Sequence, residues 1–435
     1  MQKPNPDAGS PRRRRAGRTR TVAVIAAASS LALAGCGSGG ASAGSTTGSG
    51  EIVIGVPATL TGAGAAYQVS GVDASQMVVD AINQAGGVRE LDGAKIRLVV
   101  QDTQGDPATT VKVMREMAGQ GISAFSGQVG SGPALAAKPL IESLKIPFLT
   151  VSGDQKMTED NTDGWVFRTT SNTGTAAAKT LGFLDEQIAA GTLKDVSKVA
   201  LVSISGPPGP LVDDVLEQEL TERGISVTRL SYDPAEVKDF APTVAKLAAD
   251  DVDLVMGYQY PNDGTLFAQA VSAQTWRPKG GFVFTGSPQF LDSFRKSAGS
   301  TVTGWVTSSF SSTLDDDYYT DETRKLAKDF EAKYGASMEG TAANLGATNI
   351  ALIVDAAVSA KSTDPQKIGE ALRDLKFSDP KASASPYYMA PGGVDFDDKQ
   401  ENAALIIPFI QVTPEGGVDT ISPPEVATGK FQPIG

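Results

Sequence analysis

Short apolar runs rich in β-branched residues alternate with longer amphipathic segments along most of this chain. Residues 51–56 are typical of a buried strand, and the segment after them places Val72, Val79 and Ile82 on one helical face. The same strand–helix pair recurs through about the first two thirds of the chain. Repeats of this kind predict an α/β fold with mostly parallel sheets that carry helices on both faces.

The strand–helix repeats fall into two series. The predicted strands cover residues 51–56, 95–101, 122–126 and 146–151 in the first series, residues 198–204, 225–231, 252–257 and 281–285 in the second, and residues 404–412 near the end. About 385 residues follow position 50, more than one compact core holds, so two doubly wound lobes are expected. The prediction assigns residues 51–170 and 304–403 to the N-terminal lobe, and residues 171–303 and 404–435 to the C-terminal lobe.

The first 35 residues have the composition of a secretory signal peptide. Residues 1–20 carry seven Lys and Arg against one acid, and the uncharged apolar stretch that follows is too short to span a bilayer. It ends in Leu33-Ala34-Gly35-Cys36, which resembles the bacterial lipobox, in which the cysteine becomes the acylated first residue. Residues 36–50 form a flexible Gly/Ser tether. The sequence therefore predicts a soluble, extracytoplasmic body that is lipid-anchored at Cys36 to the outer face of the cell membrane.

Charge and composition exclude several kinds of site. Removing residues 1–35, with their seven bases and one acid, leaves 31 bases, 49 acids and a net charge of about −18, so nucleic acid is not an expected partner. The chain has no histidine, which excludes Ser-His-Asp and Cys-His nucleophilic sites and histidine-ligated metals. The acidic run Asp315-Asp316-Asp317 lacks the spacing of a calcium loop, and we interpret it as solvated. No metal site is predicted.

Two of the apolar runs end in small, polar loops. The 127–133 loop follows the third predicted strand, and Ser152-Gly153-Asp154 follows the fourth. Such loops lie past the carboxyl ends of parallel strands, where ligands dock. Ser131 and Gly132 stand where a helix should begin, and Pro133 suits its first turn. Helix N–H groups and the helix dipole favour an anion there, so a small carboxylate or similar oxyanion is the predicted ligand; the alternative is that Ser-Gly-Pro only caps a helix.

The body resembles the type I periplasmic binding proteins, in the branched-chain amino-acid-binding branch that serves ABC importers. The resemblance extends from about Ile52 to Val418. Its markers are Ile54-Gly55-Val56, Leu60-Thr61-Gly62, Asp80-Ala81-Ile82-Asn83, Gly86-Gly87-Val88, Asp102 with Asp106-Pro107, the 127–133 loop and Ile146-Pro147-Phe148-Leu149. The resemblance implies two lobes that are joined by three crossovers and close over a small ligand. It also implies an ABC permease as partner and neither catalytic residues nor a cofactor; we expect a monomer.

The resemblance further implies which residues contact the ligand. The two strand-exit loops of the N-terminal lobe would hold the ligand carboxylate, and Tyr67 would form an aromatic wall. Two predicted loops of the C-terminal lobe, at residues 258–264 and 286–289, would complete the site. The candidate ligand-binding residues are Tyr67, Gln128, Gly130, Ser131, Ser152, Gly153, Tyr258, Gln259, Tyr260 and Gln289.

The sequence departs from the family pattern at two places. Family members that bind α-amino acids place an acid after the strand that matches residues 281–285, where it pairs with the ammonium group. Here that loop is Gly286-Ser287-Pro288-Gln289, and the first acid is Asp292. The usual aromatic residue of the 206–209 loop is replaced by Pro207-Pro208. The ligand can therefore be an amino acid, another aliphatic or aromatic carboxylate, an amide or another small polar metabolite.

Two other functions stay open at this point. A receptor of the same fold could feed a signalling partner, with a ligand such as an aromatic carboxylate or an amide. A hydrolase would need a base for Ser131 or Ser152, and without histidine only a lysine or a carboxylate could serve. The sequence favours an importer's binding protein and predicts that the protein is not an enzyme.

Overall fold

A computed structural model describes residues 50–62, 65–161, 164–193, 196–285, 288–312 and 318–432. The predicted signal peptide, the tether up to residue 49 and Cys36 lie outside the described residues. So do Gly286, Ser287 and the acidic run at 315–317.

The first sheet is built from the first series of repeats. Its strands are β1 (Ile52–Ala58), β2 (Ile96–Asp102), β3 (Ala124–Gly127), β4 (Phe148–Thr150) and β5 (Val166–Arg168). They are all parallel and lie in the order β2-β1-β3-β4-β5. Along β1, Ile52 and Ile54 enter one apolar cluster and Val53 enters another on the opposite face. Because helices cover both faces, the strand is apolar at successive positions, which made it recognisable in the sequence.

The second sheet has seven strands and is mixed. The remaining strands of the chain are β6 (Lys198–Ile204), β7 (Ser226–Tyr232), β8 (Leu254–Gly257), β9 (Phe282–Phe284), β10 (Val306–Ser308), β11 (Lys376–Phe377), β12 (Val394–Asp395), β13 (Phe409–Val412) and β14 (Val418–Ser422). The order in the second sheet is β14-β13-β10-β9-β8-β6-β7, with antiparallel pairing only at β13. Strands β11 and β12 pair with each other in a small antiparallel sheet.

The helices lie between the strands, as the repeats predict. They are α1 (Ala65–Gln84), α2 (Pro107–Ala118), α3 (Ser131–Leu144), α4 (Lys156–Glu159), α5 (Thr173–Ala189), α6 (Gly209–Glu222), α7 (Ala241–Ala249), α8 (Pro261–Ser272), α9 (Asp292–Ala298), α10 (Asp321–Tyr334), α11 (Ala342–Ala360) and α12 (Pro365–Asp374). Helix α2 begins as predicted: the Asp106 carboxylate accepts a hydrogen bond from Thr109 N–H at 2.7 Å, and Pro107 is its first residue.

Helix α3 begins at Ser131, where the sequence predicted a helix start, and Pro139 lies inside it. Two differences from the predicted elements concern boundaries. Helix α8 begins at Pro261, so it takes up part of the predicted 258–264 loop. Strand β10 pairs with β9 in the second sheet, so the chain returns to the N-terminal lobe after Ser308 and not at the predicted boundary of Gly304. The chain therefore passes between the lobes after β5, after β10 and before β13, and the segment between β10 and β13 packs into the core of the N-terminal lobe.

Helices α1 and α11 approach each other very closely in the N-terminal lobe. A Cβ atom placed on Gly346 would lie 2.1 Å from the backbone oxygen of Gly71. Glycine is required at this crossing because any side chain on Gly346 would overlap a backbone atom. Helix α11 is also the one helix among the described residues that is long and apolar enough to cross a membrane, and 89% of its apolar window is buried in the protein.

Candidate ligand-binding site

The exits of β3 and β4 meet at two serine side chains. Ser131 Oγ and Ser152 Oγ lie 3.0 Å apart, within hydrogen-bond distance. Ser131 is the first residue of α3, and Gly130 at the N-cap has no side chain that could accept from the first helical N–H groups. Apart from the adjacent residues and the backbone of α3 itself, no described heavy atom lies within 4 Å of where a Cβ would stand on Gly130 or Gly132. An open helix N-terminus and two hydroxyls can therefore donate to one oxyanion.

The 152–154 loop, which follows β4, is held by hydrogen bonds to nearby residues of the same lobe and by hydrogen bonds from the C-terminal lobe. Ser152 N–H donates to Thr150 Oγ1 at 3.1 Å, and Asp154 N–H donates to Ser152 Oγ at 3.3 Å. The Gly153 carbonyl accepts from Thr173, the first residue of α5, through both its N–H at 2.9 Å and its hydroxyl at 2.8 Å. The loop of one lobe is thus bonded to the first helix of the other.

Tyr67 lies in the first turn of α1. The loop that precedes this helix is held by Asp102. The Asp102 carboxylate accepts hydrogen bonds from Leu60 N–H at 3.0 Å and from Thr61 Oγ1 at 2.5 Å. The Thr61 bond is the largest of the contributions that lower the pKa of Asp102. Burial raises the pKa of the Tyr67 phenol well above its usual value. Tyr67 thus presents a neutral, half-buried aromatic ring.

The C-terminal lobe contributes a pair of tyrosines that follow β8. The rings of Tyr258 and Tyr260 stand edge to face, with centroids 5.9 Å apart. Tyr260 is 40% exposed, and its hydroxyl lies 3.4 Å from the Pro207 carbonyl oxygen. The pKa of Tyr258 is raised chiefly by burial and also by its proximity to Tyr260 and Tyr67. Tyr67 of the N-terminal lobe is therefore close enough to Tyr258 of the C-terminal lobe to affect its ionisation.

A family model described as periplasmic binding protein matches residues 51–412 of this chain. The chain belongs to the periplasmic binding protein family. This binding protein is 22% identical over 360 residues to Leu/Ile/Val-binding protein homolog 8 of Brucella melitensis, a match that covers 82% of this chain and 87% of the relative.

Solved structures share the fold of this binding protein. The branched-chain amino acid transporter substrate-binding protein LivJ of Streptococcus pneumoniae, solved with isoleucine, has a TM-score of 0.67 and 21% identity, covering 85% of this chain and 97% of its own. A fatty acid ABC transporter substrate-binding protein of Thermomonospora curvata has a TM-score of 0.69 and 19% identity, covering 88% and 95%. The predicted two-lobed α/β fold and the family resemblance are confirmed.

Two of the predicted glutamines are fully buried in the binding protein. The Gln128 amide points at Gly71, one turn along α1 from Tyr67, since a Cβ on Gly71 would lie 2.2 Å from Gln128 Oε1. Gln289 is in a 3₁₀ turn, and its backbone oxygen accepts from Arg295 Nη1 at 2.9 Å. Among the described residues, neither side-chain amide has a hydrogen-bond partner. Their contact with a ligand stays a prediction, as does that of the buried Gln259.

Sequence reasoning missed one residue of the site's framework, Arg168 at the end of β5. Its fully buried guanidinium donates to the Asp154 carbonyl at 2.7 Å, to the Ser152 carbonyl, and to Glu401 Oε1 at 2.9 Å. The available signal was an arginine directly after the apolar run Val166-Phe167, where a charge requires buried partners. The partners themselves could not be read from neighbouring residues.

We expect Asp213→Asn to stabilise the binding protein at neutral pH. Ser203 Oγ donates to the buried Asp213 carboxyl at 2.6 Å and accepts from Tyr258 N–H at 3.0 Å, and asparagine can accept the same bond. Burial raises the pKa of Asp213 from 3.8 to about 6, so ionising it costs stability as pH rises. The cost is absent below about pH 4 and complete above about pH 7, up to roughly 3 kcal/mol.

Urea unfolding of both proteins from pH 4 to 8 measures this effect. The difference in free energy of unfolding should grow from near zero at pH 4 to about 1–3 kcal/mol in favour of Asp213→Asn above pH 7. Taking the difference cancels other titrating groups, such as Asp355, whose pKa burial also raises to about 6. If the difference in free energy of unfolding does not change with pH, ionisation of Asp213 does not destabilise the folded protein.

Proposed function

We propose that this protein is an extracytoplasmic, lipid-anchored substrate-binding protein of an ABC importer, which captures a small carboxylate-bearing solute between its two lobes. The observation that carries the proposal is the meeting of Ser131 Oγ and Ser152 Oγ, 3.0 Å apart, at the open N-terminus of α3. Two hydroxyls and the first N–H groups of a helix offer several hydrogen-bond donors, and none of these groups carries a negative charge that would repel a carboxylate.

The relatives share one feature of ligand chemistry. Their descriptions name leucine, isoleucine and valine, or a fatty acid. Each of these solutes has a carboxylate on an aliphatic chain. A site that binds the carboxylate through hydrogen bonds and contacts the aliphatic chain through apolar or aromatic side chains would accept this class of ligand. In this proposal Tyr67, Tyr258 and Tyr260 contact the aliphatic chain.

The ammonium end of an α-amino acid has weaker support. The first acid after β9, Asp292, forms an ion pair with Arg295. The buried Asp263, near the tyrosines, already accepts from the Tyr232 hydroxyl and from Tyr260 N–H. Both carboxylates are therefore engaged, so carboxylates with and without an α-ammonium group belong in the same binding screen.

Membrane attachment is proposed from the sequence. The Leu33-Ala34-Gly35-Cys36 tetrad supports acylation of Cys36, and the Gly/Ser stretch after it would let the two-lobed body move relative to the membrane. A tether of this kind would keep the body close to a permease.

A thermal-shift screen with matched pairs of ligands tests the proposed function. The pairs are L-leucine and L-leucinamide, L-isoleucine and L-isoleucinamide, and octanoate and octanamide. We expect at least one carboxylate to raise the melting temperature and its amide to raise it far less, because a ligand at about 100 times its Kd stabilises by about 2.7 kcal/mol.

Small-angle scattering then tests lobe closure with the carboxylate that binds. Its radius of gyration should fall on saturation, as expected when a ligand shifts two lobes from open to closed. Stabilisation by amides alone would contradict the carboxylate class, and an unchanged radius of gyration at saturation would contradict capture by closure.

A further inference from the structure

We propose that Arg168 is a positioning residue for ligand binding, which holds the 152–154 loop in the conformation that presents Gly153 N–H and the Ser152 hydroxyl to a ligand carboxylate. The proposal rests on the carboxylate-binding function proposed above. It assigns Arg168 no contact with the ligand, because the side chain is fully buried and each of its nitrogens already donates to a protein oxygen.

Two carbonyl groups of the loop point at the same guanidinium. Arg168 Nη1 donates to the Ser152 carbonyl, and Nη2 donates to the Asp154 carbonyl at 2.7 Å and to Thr158 Oγ1 at 3.1 Å. Hydrogen bonds from a charged donor are about twice as strong as neutral ones, so the guanidinium fixes the orientation of both peptide groups. One side chain thereby sets the path of the loop and its attachment to α4.

The orientation of the Ser152–Gly153 peptide has a direct consequence. The C=O and N–H of one trans peptide group point in opposite directions. With the Ser152 carbonyl directed at Arg168, the Gly153 N–H is directed away from it, and no described group accepts a hydrogen bond from that N–H. A donor that is held outward next to the Ser131–Ser152 pair is what a carboxylate requires.

The positive charge of Arg168 is balanced by the carboxylate of Glu401. Its Nε pairs with Glu401 Oε1 at 2.9 Å, and its backbone N–H donates to the Gln400 carbonyl at 2.9 Å. Arg168 is the last residue of β5, just before the first passage between the lobes, and Glu401 precedes the third. The loop that faces the ligand is thus connected through one buried cation to two of the segments that join the lobes.

Lysine cannot replace this geometry. Four oxygens of Ser152, Asp154, Thr158 and Glu401 surround the planar guanidinium, whose donors diverge in a fixed fork. An ammonium group is a single point with three donors and reaches only some of them. Arg168→Lys should therefore keep the charge and the ion pair but hold the loop less firmly.

Hydrogen exchange, measured by mass spectrometry on the unliganded full-length protein, tests the proposal without a ligand. In Arg168→Met the peptide that covers the 152–154 loop should exchange about tenfold faster or more than in the unchanged protein, with peptides of α1 unaffected. Arg168→Lys should increase the exchange rate of the same peptide by an intermediate factor. If Arg168→Met does not fold, the exchange rate of this peptide in Arg168→Lys decides the question.

Arg373→Met is the matched control. Arg373 also lies in the N-terminal lobe and donates to a backbone carbonyl, that of Gly164 at 3.0 Å, and it stacks on Trp165 at 4.7 Å. Both of these partners lie outside the 152–154 loop, so removal of Arg373 should leave exchange of that loop unchanged. The proposal is overturned if the loop exchanges equally in Arg168→Met and the unchanged protein, or if Arg373→Met accelerates it as much.

Calorimetry with L-isoleucine, L-isoleucinamide, octanoate and octanamide adds a readout of function. Arg168→Lys should weaken a bound carboxylate about tenfold more than its amide, whereas a general loss of stability would weaken both alike. If the unchanged protein binds none of these probes, the proposed ligand class fails while the exchange experiment still decides the role of Arg168. Equal weakening of carboxylate and amide would refute positioning toward an anion.

Discussion

Replacing Gly346 by alanine should destabilise the protein by about 3 kcal/mol or more, although the change adds one methyl group. The new Cβ would lie 2.1 Å from the backbone oxygen of Gly71 and 2.9 Å from Ser75 Oγ. A flexible side chain could move away from such an overlap, but the Gly71 oxygen belongs to α1 and moves only with the helix. Urea unfolding at 25 °C measures the loss.

Gly182→Ala is the control for the Gly346 substitution. Gly182 lies in the middle of α5, and outside the backbone of that helix no described atom stands within 4 Å of its Cβ position. The same change should therefore stabilise the protein by about 0.5–1 kcal/mol through helix propensity alone. Opposite signs for the two substitutions would establish the close crossing of α1 and α11, and a small effect at Gly346 would contradict it.

The double substitution Ser131→Ala/Ser152→Ala should weaken the binding of a carboxylate ligand by roughly a hundredfold to ten-thousandfold. Each hydroxyl would donate a charge-assisted hydrogen bond worth about 1.5–3 kcal/mol, and Ser131→Ala alone should cost about ten- to a hundredfold in affinity. Isothermal titration calorimetry with the best carboxylate of the thermal-shift screen gives both Kd values.

The other end of α3 offers a control for this loss of affinity. Ser143 Oγ donates to the Leu140 carbonyl at 2.7 Å on the exposed side of the same helix. Ser143→Ala removes a hydroxyl from the same helix and should leave Kd unchanged. An unchanged Kd in the Ser131 and Ser152 variants would remove both serines from the site.

The strands were predictable because both of their faces are buried, which requires apolar residues at consecutive positions. Strand β6 was predicted at residues 198–204 and lies there, with six of its seven residues buried between two helical layers. The start of α8 was not predicted, because Tyr-Pro-Asn-Asp-Gly resembles a loop. Pro261 in fact occupies the first turn, and Asp263 accepts from Tyr260 N–H at 3.1 Å.

The meeting of Ser131 and Ser152 in the candidate site was predictable from the sequence, but the contacts that hold the 152–154 loop were not. Two strand-exit loops with serine and glycine predicted that Ser131 and Ser152 would come together, and their hydroxyls lie 3.0 Å apart. Arg168 owes its role to Glu401, which lies 233 residues later in the chain. Interactions over that separation are set by how the chain passes between the lobes, which no local pattern specifies.

The donors that meet at the two serines are hydroxyls and peptide N–H groups, which have no proton to lose or gain in mildly acidic or alkaline surroundings. A site built around histidine would release an anion as its medium became alkaline. At this corner the acid group of a bound carboxylate would be the part that titrates first, so these donors would keep their hydrogen bonds until that group is protonated.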